Sequence, residues 1–599
     1  MSESLISLMA KVKGARNPSF SPDGKEIAFI SNITGIPQVW ITPIEAGWPR
    51  LVTDYDDQIK NVSWSPTSDI LCFSLAPGGG MNEQLYIVNK NGTNPKLLTE
   101  GGKETNYFGK WSPDGKFIYY CTNKSSSSSL DLYMVNIETS EQILISKNEG
   151  FTSVNEINSQ NSLILQTTVR QRSDSEVYLI QVQSKKQDLL TPHAGSAEYY
   201  SPHFGLNDNE IYLISNHEDK DALYKIMVTK DGIGPIQTIM KKEDSILEFI
   251  QISQDKKFIA LCWNSAGKNS LEILDLNSLN VLHTPELPTE VIGDISFSSS
   301  GMQIVMVCSG STTPENIWVY DLNNKTMKQI TFCPHAGIDL KSLIRPILHS
   351  FDSHDGLRLT GWLYLPHNFI RPGPVVLNFH GGPEGQDRPI FKSQFQALLT
   401  QGIAVFSPNI RGSSGFGRNF VNLDNGELRF NAIKDIKSCA DYLLTNNIAH
   451  QNKLGIMGGS YGGYMVMAGL TEYPNLFKAG ANLFGIVNFE TFFANTEPWM
   501  AEVSKIKYGD PVTQKDLLRK LSPIYKIDRV KGATLVLHGK NDTNVPLIEA
   551  EQVVEELNKK NVPVKMILFE DEGHGFLKSE NVIKSITEIV KWFENYLND

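Results

Sequence analysis

A repeat of about 45 residues constrains the fold more than any other feature of this sequence. A turn-like segment followed by an apolar strand, SPDGKEIAFI at residue 21, returns as SPTSDILCFS at 65 and SPDGKFIYYC at 112. Weaker copies begin at residues 158, 205, 253 and 298. Seven short-strand units of this length are typical of a seven-bladed β-propeller with four-stranded blades. An array of β-sandwiches, or six blades plus an irregular unit, is also compatible with the spacing.

The repeated turn has a physical explanation. In Ser21-Pro22-Asp23-Gly24 the proline sets the first turn dihedral, and Asp-Gly accepts the positive φ that follows. Each unit also contains another apolar strand, such as QVWITPI at 38–44 and DLYMVNI at 131–137. From the fourth unit onward the turn loses its proline, so the prediction there depends on the spacing and the strand pattern.

After about residue 340 the sequence changes to an alternation of apolar strands with helix-length amphipathic stretches. The strand-like runs include PVVLNFH at 374–380, KLGIMGG at 453–459 and GATLVLHG at 532–539. Nearly continuous apolar strands that alternate with helices indicate a mostly parallel sheet with helices on both faces. The last helix is predicted to pack on that sheet through the apolar residues between 583 and 597.

A glycine-rich turn surrounds one serine in this second half. The segment 458–462 reads Gly-Gly-Ser-Tyr-Gly, a G-x-S-x-G pattern between a strand that ends at Met457 and a helix that begins near Gly462. This is the context of a nucleophile elbow, in which side chains two residues before and after the serine would collide with neighbouring backbone. A glycine-rich loop without function is the alternative for the motif alone. The context favours Ser460 as a nucleophile.

A serine nucleophile needs a general base, and the base needs an acid that orients it. In α/β-hydrolases these residues follow the serine in the order Asp, His, each on a loop after a strand. Asp542 follows the strand 534–537, and His574 follows the strand 566–569. Both therefore fall at the carboxyl ends of strands, where ligands bind in open α/β sheets. We predict that Ser460, Asp542 and His574 form a catalytic triad.

Three other residues compete for these roles. His538 is a rival base, but it precedes the loop turn, and we expect it to make a structural hydrogen bond. Glu570 and Asp571 are rival acids, but they lie too near His574 in the sequence to occupy the preceding loop.

The same chemistry needs hydrogen-bond donors for the developing oxyanion. The residue after the nucleophile supplies one donor, the backbone N–H of Tyr461. The loop His380-Gly381-Gly382-Pro383 follows an earlier strand, as the loop with the second donor does in such enzymes. We predict Gly382 as that donor, because the absence of a side chain lets its N–H approach a substrate. His380 is expected to brace the loop.

Together these features make essentially the whole chain resemble the prolyl oligopeptidase family of serine peptidases (family S9). The motifs that carry the resemblance, besides the repeat, are H-G-G-P at 380–383, N-x-R-G-S-x-G-x-G at 409–417, G-G-S-Y-G-G at 458–463 and H-G-x-x-D at 538–542. The acylaminoacyl-peptidase branch looks most similar. The resemblance implies the same triad and oxyanion donors, and it makes Arg411-Gly412-Ser413 a scaffold beside the site.

The resemblance also implies a domain organisation. Residues 1–15 would form a helical extension that packs on the hydrolase domain, residues 16–340 a seven-bladed β-propeller, and residues 341–599 an α/β-hydrolase domain with a doubly wound, mostly parallel sheet. In that family the propeller lies over the active site and restricts entry to short peptides. The first specificity pocket is built largely from the segment after the elbow. Phe489, Trp499 and Val503 are therefore candidate substrate-binding residues, although each could equally be part of the core.

One position departs from the family pattern. Many acylaminoacyl peptidases carry arginine two residues after the catalytic aspartate, whereas this chain has Asn544. Activity on N-acylated peptides is therefore in doubt. A convincing paired-glutamate motif of the dipeptidyl-peptidase branch is not found either.

Composition excludes several other classes. The formal net charge of −11 argues against nucleic acid or an anionic membrane as a partner. The N-terminus has no basic segment before a long apolar core, and no apolar stretch is long enough to span a membrane.

The six cysteines lack C-x-x-C spacing and are predicted to be buried free thiols of a cytoplasmic protein. We expect no metal, cofactor or nucleotide. The glycines of 458–463 do not form a phosphate-binding loop, since no Lys-Ser/Thr follows them. A homo-oligomer is left open.

The sequence thus predicts a serine peptidase that hydrolyses short or N-blocked peptides through an acyl-enzyme. An amidase or esterase that acts on a peptide-like small metabolite or antibiotic with the same triad is the alternative. A propeller scaffold with a decayed hydrolase is a third hypothesis, against which the intact triad and oxyanion glycines argue.

Overall fold

The computed structural model describes residues 4–45 and 47–598. Seven antiparallel sheets, each built from consecutive strands, precede residue 330 and form the blades of a propeller. The first three blades contain β1 (Ala15–Phe20), β2 (Glu26–Ser31), β3 (Gln38–Pro43), β4 (Arg50–Leu51); β5 (Ile59–Trp64), β6 (Ile70–Leu75), β7 (Gln84–Asn89), β8 (Lys96–Leu97); and β9 (Asn106–Trp111), β10 (Phe117–Thr122), β11 (Asp131–Asn136), β12 (Gln142–Ser146).

The remaining four blades continue in the same order. They contain β13 (Phe151–Ile157), β14 (Leu163–Gln171), β15 (Asp174–Gln181), β16 (Gln187–Leu189); β17 (Tyr199–Phe204), β18 (Glu210–Ser215), β19 (Ala222–Thr229), β20 (Gly232–Ile233), β21 (Gln237–Met240); β22 (Ile246–Ile252), β23 (Phe258–Ser265), β24 (Lys268–Asp275), β25 (Val281–His283); and β26 (Val291–Phe297), β27 (Gln303–Gly310), β28 (Thr313–Asp321), β29 (Thr326–Gln329). The predicted seven blades are confirmed, and the fifth has an additional short strand.

The repeated turn links the first two strands of a blade by the same side-chain hydrogen bonds. In the first blade the hydroxyl of Ser21 accepts from the N–H of Glu26 (2.9 Å) and donates to Asp23 Oδ1 (2.7 Å), while Gly24 has φ +69°. The third blade repeats this with Ser112 and Asp114. The two apolar strands found in each repeat are thus the second and third strands of its blade.

The ring closes by packing of the first blade on the last. Ala15 and Phe29 of the first blade lie in one buried cluster with Val305 and Ile317 of the seventh. First strands of neighbouring blades, such as β13 and β17, contact each other around the ring. All six cysteines are buried and unbridged, as predicted.

An eight-stranded sheet forms the C-terminal region. It contains β30 (Ile347–Asp352), β31 (Arg358–Tyr364), β32 (Gly373–Phe379), β33 (Ala404–Asn409), β34 (Ala449–Gly459), β35 (Ala479–Leu483), β36 (Ala533–Gly539) and β37 (Val564–Phe569). The order is β30-β31-β33-β32-β34-β35-β36-β37, with β30 and β31 antiparallel to their neighbours and the other pairs parallel. The predicted mostly parallel sheet is confirmed.

Helices cover this sheet and include one from the beginning of the chain. They are α1 (Leu5–Ala10), α2 (Ser393–Thr400), α3 (Arg418–Val421), α4 (Arg429–Thr445), α5 (Tyr461–Glu472), α6 (Phe489–Asn495), α7 (Pro498–Tyr508), α8 (Lys515–Leu521), α9 (Ile548–Lys559) and α10 (Ser579–Leu597). Helix α1 contacts α2 and α10, and Met9 is buried in the same cluster as Leu398 and Ile589. None of the described helices has the length and apolar character needed to cross a membrane.

The propeller lies against the carboxyl edge of the sheet. Asn541, in the loop after β36, donates to the carbonyl of Gly78 in the second blade (2.8 Å). Arg388 Nη1 lies 2.5 Å from Glu248 of the sixth blade. The loops that carry the predicted site residues therefore face the propeller.

Candidate active site

Ser460 occupies the tight turn between β34 and α5, so the predicted strand–turn–helix context is confirmed. Its backbone has φ 56° and ψ −120°, a conformation that residues other than glycine seldom adopt and that often marks functional sites. Its N–H donates to the carbonyl of Leu483 (3.0 Å), which ties the turn to the neighbouring strand β35.

Two glycines make room for this turn. A Cβ atom on Gly462 would lie 2.0 Å from the carbonyl oxygen of Phe379, and a Cβ on Gly458 would lie 2.6 Å from the same oxygen and from the backbone of Gly462. Distances this short are forbidden by atomic radii, and the obstacles are backbone atoms that cannot rotate away. The backbone geometry therefore requires glycine at both positions, as the sequence motif predicts.

His574 and Asp542 meet on the loops after β37 and β36. The Nδ1 atom of His574 lies 2.7 Å from Oδ2 of Asp542. The other carboxylate oxygen of Asp542 accepts from the backbone N–H groups of Asn544 and Val545, both at 2.9 Å. The Asp542 side chain is fully buried, whereas 21% of the His574 side chain is exposed. One nitrogen of the imidazole is thus held by a fixed carboxylate, and the ring remains open to a ligand.

The His574 loop is supported on two sides. The ring of Phe484 packs edge-on against the imidazole, with 4.8 Å between ring centroids. A Cβ on Gly573 would lie 2.0 Å from the carbonyl oxygen of Gly79, which brings a loop of the second blade against the histidine loop. A cavity of about 380 Å³ lies between the second-blade loop and the histidine loop. It reaches His574 and is also lined by Arg16 and Lys60.

His538 has a different environment from His574. Its side chain is fully buried, and its Nε2 atom lies 2.8 Å from the carbonyl oxygen of Val545. Burial lowers its pKa, which favours the neutral ring. These contacts agree with the structural hydrogen bond expected for this residue.

The two predicted oxyanion donors flank the serine turn. Tyr461 is the first residue of α5, where a backbone N–H has no carbonyl partner within the helix. Gly382 has φ +131°, and a Cβ on the preceding Gly381 would lie 3.5 Å from the Cβ of Ser460. The ring nitrogens of His380 lie 2.8 Å from the carbonyl oxygen of Gly381 and 2.8 Å from Ser413 Oγ. His380 therefore braces this loop.

The three predicted pocket residues occupy two helices. Phe489 begins α6 and is fully buried, with its ring against Tyr508 (4.7 Å between centroids). Trp499 and Val503 lie one turn apart on α7. The indole of Trp499 packs on Phe151 of the propeller (5.2 Å between centroids). The structure thus brings Trp499 and Val503 together at the propeller contact and places Phe489 in the core beneath.

An acidic cavity of about 450 Å³ lies beside the loop that carries Gly382. Its walls include Glu384, Gln386 and Arg388 from that loop and three carboxylates from the propeller, which are Glu198, Asp221 and Glu248. Burial raises the pKa of Glu198 to about 7 and that of Asp221 to about 6. Such shifts express the cost of holding negative charge in a poorly solvated place.

The charges of this cavity are only partly balanced. Glu248 is paired with Arg388. Glu198 accepts from Asn216 (2.8 Å) and Asp221 from the hydroxyl of Tyr200 (3.0 Å), but neither has an ion-pair partner in the described part of the chain. At pH values above their pKa the cavity therefore favours a cationic group.

Sequence reasoning missed two residues that the propeller contributes. Arg172, in the turn between β14 and β15, forms an ion pair with Glu384 across the domain interface (2.7 Å). Gly79 packs on the His574 loop. Neither position carries a motif. Glu384 directly follows H-G-G-P, and this adjacency was the one feature of the sequence that could have pointed to a role for Glu384 beside the site.

Family models match the two halves of the chain separately. Residues 389–599 match the model described as the prolyl oligopeptidase family, and residues 6–229 match the model described as the TolB beta propeller domain. Dipeptidyl aminopeptidase BIII of Pseudoxanthomonas mexicana is 26% identical over 96% of this chain and 86% of its own length. The acylamino-acid-releasing enzyme of Arabidopsis thaliana is 28% identical over 37% of this chain and 30% of its own length.

Solved structures show the same two-part architecture. A puromycin-hydrolyzing peptidase of Mycobacterium tuberculosis is 18% identical to this chain and has a TM-score of 0.86 with it. The superposition covers 100% of this chain and 96% of the peptidase chain. At that identity the likeness shows the fold, a propeller followed by an α/β-hydrolase domain.

Proposed function

We propose that this chain is a serine-type hydrolase that cleaves short peptides with a free N-terminal amine, since residues 389–599 match the family model described as the prolyl oligopeptidase family. The reaction proceeds through an acyl-enzyme on Ser460. The single observation that carries the proposal is the bond between His574 and Asp542, which leaves the second imidazole nitrogen free to act as a base.

In the proposed mechanism the hydroxyl of Ser460 attacks the scissile carbonyl carbon. Nε2 of His574 takes the hydroxyl proton and returns it to the leaving amine as the C–N bond breaks. Water, deprotonated by the same nitrogen, then attacks the ester, and the proton returns to Ser460 as the acid leaves. Asp542 keeps the proton on Nδ1 and stabilises the imidazolium that forms in each half of the cycle.

The N–H groups of Gly382 and Tyr461 are proposed to stabilise the oxyanion. Both belong to rigid backbone, since Tyr461 begins a buried helix and Gly382 lies in a braced loop. Donors that are oriented before the reaction cost no reorganisation in the transition state. Removing one donor of this kind costs on the order of 3 kcal/mol of transition-state stabilisation.

The acidic cavity supports a substrate with a free amine. It adjoins the proposed oxyanion loop through Glu384 and Gln386, and it holds two carboxylates without a cationic partner among the described residues. An ammonium group placed there would donate charge-assisted hydrogen bonds to these carboxylates, and these bonds would replace the water that the carboxylates lose on burial. An N-acyl group would instead leave these carboxylates buried and unpaired, so the cavity disfavours N-blocked peptides.

The propeller is proposed to limit the length of the substrate. Its loops contact the histidine loop at Gly573 and the helix α7 at Trp499. In this proposal these contacts keep a folded protein away from Ser460 and admit a peptide of a few residues.

A second candidate function is hydrolysis of an aminoacylated small molecule by the same residues. The unbalanced acidic cavity favours it as well, because such a molecule carries a free α-amine. The fold shared with puromycin-hydrolyzing peptidases is consistent with this candidate.

Two matched chromogenic peptides and one aminoacyl nucleoside test the proposal. One is a dipeptide p-nitroanilide with a free amine, the second its N-acetyl derivative, and the third an aminoacyl nucleoside. We expect kcat/KM for the free-amine peptide to exceed that for the acetylated peptide by at least tenfold. Equal or reversed values would contradict the free-amine proposal, and activity on the nucleoside alone would favour the second candidate.

A further inference from the structure

The propeller inserts one arginine between two segments of the proposed active site. Arg172 lies in the turn between β14 and β15 and points away from its own blade. Its backbone N–H donates to the carbonyl of Val503 (3.0 Å), its Nε to Ser504 Oγ (3.3 Å), and its Nη2 lies 3.5 Å from Met500 Sδ. Arg172 thus fixes helix α7, the helix that carries Trp499 and Val503.

The same side chain also holds the loop of the proposed oxyanion donor. Nη1 of Arg172 lies 2.7 Å from Oε2 of Glu384, which is two residues after Gly382. The turn between these two residues is tight, since a Cβ on Gly382 would lie 2.5 Å from the backbone N of Glu384. A shift of Glu384 therefore moves the N–H of Gly382 with it.

The negative charge of the buried Glu384 carboxylate is balanced mainly by Arg172. Its other oxygen, Oε1, makes no hydrogen bond to any described residue and lies 3.8 Å from Nζ of Lys507. Burial would raise the pKa of Glu384, but the charges of Arg172 and Lys507 lower it. Lys507 is itself engaged with Asp424 at 2.9 Å. Without Arg172 the carboxylate would have no directly hydrogen-bonded cation among the described residues, and the loop would relax towards solvent.

We propose that Arg172 is a positioning residue for the hydrolysis. This inference rests on the proposed function of Ser460. Through Glu384 it holds the Gly382 N–H at the place where the oxyanion develops, and through α7 it holds the proposed pocket wall. Catalysis by the hydrolase domain therefore depends on a side chain that the propeller supplies.

The test compares Arg172→Met with a matched control, Arg170→Met. Arg170 is two residues away in the same hairpin, but it pairs with Asp174 and Glu176 of its own blade. We expect Arg172→Met to lower kcat about 10- to 100-fold and to slow fluorophosphonate labelling in parallel, because one oxyanion donor is misplaced. KM should change less than kcat. Arg170→Met should retain native kcat, and Arg172→Lys should recover part of the loss, since lysine keeps the charge without the guanidinium fork.

A merely structural role for Arg172 would lower thermal stability without separating kcat from KM. A kcat of Arg172→Met within threefold of native, or equal losses in both methionine variants, would overturn the inference. If Arg172→Met does not fold, Glu384→Gln replaces it, and an unchanged kcat there would be equally decisive against the inference. Failure of the proposed function is distinguishable, because native protein would then leave Ser460 unlabelled whatever stands at position 172.

Discussion

His574 Nδ1 lies 2.7 Å from Asp542 Oδ2, and the two residues come from loops at the ends of adjacent parallel strands. The opposite oxygen of Asp542 is fixed by two backbone N–H groups. The carboxylate therefore cannot turn away from the imidazole, and the tautomer with a proton on Nδ1 is favoured.

Asp542→Asn is expected to lower kcat by roughly 10³- to 10⁴-fold, because an amide can donate to Nδ1 and so favour the tautomer with a proton on Nε2. The measurement is kcat on a free-amine peptide anilide, with the melting temperature as the control for folding. A loss of less than tenfold in a folded variant would contradict the role of Asp542.

His538→Leu should affect stability more than catalysis. The substitution leaves the carbonyl of Val545 without its donor, which costs about 1–3 kcal/mol of the free energy of unfolding. Because His538 is not proposed to transfer protons, kcat should stay within tenfold of native. Denaturant unfolding and steady-state kinetics measure the two effects. A loss of activity as large as that of His574→Leu in a folded variant would contradict a purely structural role for His538.

Gly462→Ala is expected to destroy the serine turn. The new Cβ would lie 2.0 Å from the carbonyl oxygen of Phe379, so the strand or the helix must move. We expect a loss of stability of about 3 kcal/mol or more, together with loss of activity. Gly293→Ala is the matched control, because its Cβ would lie 3.9 Å from the nearest atom, Cβ of Val307. Native activity in Gly462→Ala would show that the turn is not needed.

The acidic cavity predicts a pH dependence that is specific to substrates with a free amine. Burial raises the pKa of Glu198 to about 7 and that of Asp221 to about 6, so both carboxylates are charged above these values and become neutral as the pH falls through them. The ratio of kcat/KM for the free-amine peptide to that for its acetylated form should therefore fall between pH 7.5 and 5.5. Using the ratio removes the titration of shared catalytic groups.

Glu198→Gln is the variant that tests this dependence. It should lower the same ratio at pH 7.5 about 10- to 100-fold, as expected for a hydrogen bond to a charged group. It should also flatten the pH profile of the ratio above pH 6.5. A ratio that is unchanged by the substitution would exclude Glu198 from substrate recognition.

The sequence predicted those features that depend on local pattern. The turn at Ser21 repeats because its hydrogen bonds lie within six residues, and the glycines at 458 and 462 are required by backbone atoms beside the elbow. Asp542 and His574 could be located because each follows an apolar strand of a parallel sheet. These signals are independent of the arrangement of the two domains.

Other features could not be predicted because they depend on contacts between distant segments. Arg172 and Glu384 are 212 residues apart, and nothing in the repeat distinguishes one hairpin arginine from another. The first strand of each blade was also missed. It lines the ring with mixed residues, as in β9 (Asn106–Trp111), and so lacks clear alternation.

Fluorophosphonate labelling, followed by mass spectrometry of the intact protein and of its peptides, tests the central assignment most directly. The native chain should gain one adduct, located on the peptide that contains Ser460, and Ser460→Ala should gain none under the same conditions. A native protein that does not label, or a Ser460→Ala variant that labels equally well, would contradict the assignment of Ser460 as the nucleophile.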